Sequence, residues 1–149
     1  MNETHKRHHV LRSTGAVLAG LLVIVVFSIG TDIVMYATGV FPSQGQPMAD
    51  PLWLIPTAYR FIYGVLGCYV AARLAPPTPE GSPMRHAMIL GAIGVALGII
   101  GFLATLSQGP ELGPKWYSIA VFAMALPCAW LGGKVESIRR GTLMKGAQT

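Results

Sequence analysis

The chain has 149 residues, of which 52% are hydrophobic and 11% charged, with a mean hydropathy of +0.53. A soluble domain carries roughly a quarter of its residues as charges, so this composition excludes a water-solvated globular domain. The formal charge of +5 is explained by basic segments lying against anionic lipid, and nucleic acid is not an expected partner.

Residues 1–13 form a basic tail that includes His5, Lys6, Arg7, His8, His9 and Arg12. It reads as a cytoplasmic anchor at the membrane surface rather than a transition-metal site. An apolar run follows over residues 14–38, and three more cover residues 52–74, 86–107 and 116–135. A helix needs about 20 apolar residues to cross a hydrocarbon core of roughly 30 Å, so each run predicts one crossing. None shows the alternation of a membrane β-strand. The first run also resembles a signal peptide, with basic residues ahead of an apolar stretch. It is longer than such a stretch needs to be, and its small-residue site, Ala37-Thr38-Gly39, lies beyond the charged Asp32. Retention is therefore expected, and intact mass decides the matter.

Asp50-Pro51 and Ser82-Pro83 pair an N-cap acceptor with a proline that needs no amide partner, which suits the starts of the second and third helices. Gly113-Pro114 precedes the fourth, and the proline-rich stretch 75–83 predicts an extended link. With the N-terminus inside, Lys6, Arg7, Arg12, Arg73, Arg85, Lys134, Arg139, Arg140 and Lys145 are cytoplasmic, whereas only Lys115 lies outside. The bias fixes one orientation. The expected fold is all-α: a polytopic membrane protein with four transmembrane helices as two antiparallel hairpins, both termini cytoplasmic. The transmembrane domain occupies residues 14–138, and residues 139–149 form a second basic tail. The two halves also resemble each other weakly, since Cys68 precedes Arg73 much as Cys128 precedes Lys134.

Small residues mark where helices approach in lipid. Gly91, Gly94, Gly98 and Gly101 share one face of the third helix, and Gly64, Gly67 and Ala71 form a similar stripe on the second. Packing within the bundle is the expected use of both, with a homodimer seam as the alternative. Pro127 removes an amide from the fourth helix and is expected to free the carbonyl of Ala123.

Two formal charges lie well inside the spans, Asp32 and Arg60. Either one unpaired in hydrocarbon costs several kcal/mol, and at 1.5 Å per residue both lie roughly 9–12 Å below the same interface. They are expected to pair. Spacing adds Ser28 and Tyr36 to the face of Asp32, and Thr57, Tyr63 and Gly64 to that of Arg60. Thr105, Tyr117 and Ser118 supply further hydroxyls at similar depth. The pair reads either as a lock on helix register or as an outward-facing site in which Arg60 receives an anionic group.

No phosphate loop, zinc-ligand spacing, catalytic triad or haem-binding histidine pair can be assembled, so neither an enzyme nor a cofactor is expected. Cys68 and Cys128 have no neighbouring base in sequence and read as packing residues. The segments TAYRFIYGVLGCYVAARLAP and GPKWYSIAVFAMALPCAWLGGK resemble those of small, uncharacterised four-helix proteins of the bacterial inner membrane. That resemblance covers most of the chain and implies an inner-membrane setting, but no activity. The expected role is structural or accessory, through a membrane partner or a homo-oligomer. The alternative is an oligomeric transporter or channel subunit built on Asp32 and Arg60.

Overall fold

The computed structural model describes residues 3–43, 45–76, 83–106 and 113–146. They form four α-helices: α1 (Glu3–Ala37), α2 (Leu54–Leu74), α3 (Pro83–Leu106) and α4 (Lys115–Gly146). A single 3-10 turn, Asp50–Trp53, leads into α2. No strand occurs among the described residues. Four segments, Val10–Ala37, Asp50–Leu74, Pro83–Leu106 and Lys115–Gly146, are long and apolar enough to cross a membrane.

Two helices reach beyond the predicted apolar runs: α1 begins within residues 1–13, and α4 runs on through most of residues 139–149. The N-cap of the second helix also differs. Asp50 lies inside the 3-10 turn, whose cap is Ala49 with no side-chain bond. Pro51 keeps its expected place at the start of a helical turn. Ser82 falls outside the described residues. Gly39, with φ +74°, follows the end of α1, a left-handed position that favours glycine at a helix terminus.

Helices α1 and α2 run in opposite directions. A Cβ on Gly20 would stand 2.5 Å from the carbonyl oxygen of Gly67, while Asp32 meets Arg60 further along. α3 opposes α4 in the same way, through Gly91, Gly94 and Gly98 against Ala129, Ala125 and Phe122. A third long contact was not foreseen. Gly132 of α4 lies against the backbone of α2, where a Cβ would come within 2.6 Å of the Tyr69 nitrogen and 2.7 Å of the Val65 oxygen. Gly64 faces Cys128 on the same seam. The helices thus form one bundle with α2 and α4 side by side.

Five of the six expected packing glycines meet a neighbouring helix, and Gly101 does not: nothing lies within 4 Å of its Cβ position. Its spacing continues the stripe, but Phe122 is the last α4 residue the stripe reaches. The core is built from small side chains, with Ala71, Ala72, Ala87 and Ala129 fully buried beside Val17, Cys68 and Leu90. Alanine and glycine let backbones approach closely, so dispersion contacts hold the helices where hydrocarbon offers no hydrophobic gain.

The outer surface is correspondingly apolar. Leu18, Leu22, Val26, Ile33, Ile62, Ile100, Leu103, Ile119 and Leu126 are all exposed. Soluble monomers rarely expose so many large apolar side chains.

Candidate functional site

Away from the end of the bundle that carries both termini, four polar side chains converge from three helices. Arg60 of α2 donates through Nη2 to Oδ2 of Asp32 on α1 at 2.8 Å. Its Nη1 donates to the hydroxyl of Tyr117 on α4, and the Tyr59 hydroxyl donates to Oδ1 of Asp32. The guanidinium carbon lies 5.6 Å from the Tyr117 ring centroid, within cation–π range. Both carboxylate oxygens thus accept a hydrogen bond, and one arginine ties three helices together.

The sequence places Asp32 and Arg60 together, and the structure does the same. The remaining predicted members are distributed differently. Tyr63 bonds Thr31, the two hydroxyls 2.9 Å apart, so it stands beside the cluster with its ring tilted against that of Tyr59, centroids 5.8 Å apart. Thr57 turns back on its own helix and donates to the Trp53 carbonyl at 2.7 Å, an alternative open to any hydroxyl one turn downstream. Thr105 does likewise with Phe102. Tyr36 is exposed and packs edge-on against Phe41 in the loop after α1. Ser28 lines a cavity that Arg60 also lines.

Tyr59 was not foreseen, whereas Tyr117 was expected to bring a hydroxyl to this depth and does so. Its ring is buried, wedged against Trp53 at 4.7 Å between ring centroids. Trp53 in turn covers Gly113, whose φ of +94° and lack of a side chain allow α4 to start against the indole. The available signal for Tyr59 was adjacency: it precedes Arg60 and lies three residues from Thr57's neighbour Pro56, but helix rotation decides which neighbour faces Asp32.

A second cluster sits at the end that carries the termini. Glu136 is 1% exposed and accepts from Nε of Arg139 at 3.0 Å and from Nε of Arg140 at 2.9 Å. Arg140 also donates through Nη2 to the carbonyls of Ala72, Arg73 and Ala75 at 2.9, 3.1 and 3.4 Å. These are the last carbonyls of α2 and its link, groups a helix cannot satisfy internally. A cation there also complements the negative end of the helix dipole. Nearby, buried His86 brings Nε2 to 2.6 Å from Oγ of Ser13, joining α3 to α1.

Cys68 and Cys128 are buried free thiols, and Cys128 donates weakly to the Phe61 carbonyl at 3.5 Å. Among the described residues, no three His, Cys, Asp or Glu side chains converge as a metal site requires. No protein-family model, curated protein or solved structure matches this chain.

Proposed function

We propose that this chain is a multi-pass protein of the bacterial inner membrane with both termini in the cytoplasm. In this reading it serves as a structural or accessory component that binds a membrane partner or a second copy, and catalyses nothing. The observation that carries the membrane setting is the exposed apolar surface running the length of all four helices. Water would make that surface aggregate, whereas lipid solvates it.

Orientation rests on where the bases fall. Arg73, Lys134, Arg139, Arg140 and Lys145 lie toward the end that carries the termini, and Lys115 lies at the other, the asymmetry that cytoplasmic retention of lysine and arginine produces. The accessory role is supported by close-packed small residues, short connections, and charges engaged in holding helices together.

Two measurements test this reading. Carbonate extraction should leave the protein in the membrane pellet, and tags on either terminus should resist an impermeant reagent in right-side-out vesicles. Release into the supernatant, or labelling of either tag, sinks it. Native mass spectrometry from membranes should then retain a second copy or a protein partner, and a strict monomer removes the accessory role.

One observation favours a second reading, a small oligomeric transporter or channel subunit. Arg60 is not enclosed by its partners, since it also forms part of a cavity wall among the four helices.

A further inference from the structure

A cavity of about 310 Å³ lies inside the bundle. Its wall includes Val25 and Ser28 of α1, Arg60 and Cys68 of α2, Leu97 of α3 and Cys128 of α4. The rest of the lining is apolar side chains, Phe61 and Met124 among them, and the bare backbone of Gly64 and of the α3 glycines. Cys68 and Cys128 are buried, whereas Val25 is 43% and Leu97 52% exposed. The mouth therefore lies between α1 and α3, on the lateral face of the bundle, where lipid rather than water has access.

The chemistry of one wall residue is incomplete. A guanidinium carries five N–H donors, and Arg60 uses one on Asp32 and one on Tyr117. Its Nε is buried with no acceptor among the described residues. Its charge, by contrast, is already matched by Asp32 at 2.8 Å. What the site lacks is an acceptor atom, not a counter-ion. A donor left unmet in hydrocarbon is costly, so the complementary ligand is uncharged and brings an oxygen lone pair. The volume is at the low end of ligand pockets, which span roughly 300–1,000 Å³, and suits one chain rather than two. From Arg60 to Cys68 the cavity follows α2 for eight residues, roughly 12 Å, with no other charged side chain on its wall.

We propose that this cavity binds a neutral, single-chain lipophile of the ketone or quinone class, which enters sideways from the bilayer. Its carbonyl oxygen accepts from the guanidinium of Arg60. Its chain runs along the glycine face of α3 toward the two thiols. The proposal goes beyond the accessory role and shares with it only the membrane setting, which carbonate extraction tests separately.

The test uses the full chain in lipid nanodiscs, labelled with ¹⁵N-arginine, and 2-dodecanone carrying ¹³C at the carbonyl. Solid-state NMR should show a ¹³C–¹⁵N dipolar contact that saturates with ketone and disappears in Arg60→Lys. Dodecane, with no acceptor, should be retained about tenfold less, the factor one hydrogen bond to a charged group supplies. Val25→Trp and, separately, Leu97→Trp plug the mouth from positions that already face lipid; each should lower ketone retention at least about tenfold with the unfolding temperature unchanged. The proposal is overturned by an absent or non-saturating contact, by equal retention of ketone and alkane, or by indifference to both mouth variants. Tighter retention of ionised dodecanoate than of the ketone also overturns it, because the ligand is then an anion.

Discussion

Asp32 and Arg60 meet across α1 and α2 in the middle of apolar helix surface, whereas Glu136, Arg139 and Arg140 meet where α4 leaves the bundle. In the first cluster both carboxylate oxygens accept a hydrogen bond, whereas the buried Nε of the guanidinium meets no acceptor among the described residues. In the second, Arg140 bonds Glu136 through Nε and donates through Nη2 to the carbonyls at the end of α2. A cluster that only locks helices together is expected to satisfy all its members, as the second nearly does. The first holds three helices together and still keeps donor capacity beside a cavity, which is why it is the better candidate for binding.

Several substitutions break this comparison open, and the largest effect is expected at Asp32. The side chains of Arg60 and Asp32 are 32% and 25% exposed, but in the membrane reading that exposure is to hydrocarbon, which does not screen charge. Asp32→Ala then strands a cation and should cost about 3–5 kcal/mol, measured by reversible unfolding in mixed micelles. The double variant Asp32→Leu/Arg60→Met should recover most of that loss, because an apolar pair of similar volume replaces a buried ion pair at little cost. A double variant as unstable as Asp32→Ala contradicts this account.

Glu136→Gln should cost less, about 1–3 kcal/mol, since both arginines reach the surface and Arg140 keeps its carbonyl acceptors. If the loss equals that of Asp32→Ala in the same unfolding assay, the two clusters are not different in kind. Gly132→Ala forces a methyl against the α2 backbone and should cost about 1–3 kcal/mol, read as a lower unfolding temperature. Tyr117→Phe removes one acceptor from Arg60 while leaving the ring; about 1 kcal/mol is expected, and a larger effect makes the hydroxyl a principal tie between α2 and α4. The smallest change is of opposite sign. Gly101→Ala meets open space and should stabilise α3 by about 0.5–1 kcal/mol through helix propensity, whereas the same change at Gly91 should destabilise.

The four helices were legible because the hydrocarbon thickness demands long apolar runs, and α2 and α3 end within a few residues of where hydropathy placed them. The Asp32–Arg60 pair was legible for an energetic reason: two opposite charges at equal depth have no cheaper partner than each other. What spacing does not carry is helix rotation. It placed Thr57 and Tyr36 at the pair, yet Thr57 found its own backbone and Tyr36 found Phe41. It also gave no means to choose Tyr59 over Tyr63, which stand about one turn apart on the same side of α2. Glu136 was hidden differently. It looks like one charge among several just past the end of the fourth apolar run, although a carboxylate three and four residues ahead of two arginines is the spacing for a paired helix face. Only the docking of α4 along α2 shows that this face is buried.

The lengths of α1 and α4 carry one more consequence. At 35 and 32 residues, each measures roughly 50 Å at 1.5 Å per residue, well beyond the span of the hydrocarbon layer. A helix resists bending over such a distance, so the overhanging portions are levers rather than slack cords. Torque applied to the C-terminal shaft reaches Gly132 and the seam with α2 without passing through any loop. A partner that grips that shaft thereby gains mechanical leverage over the interior of the bundle.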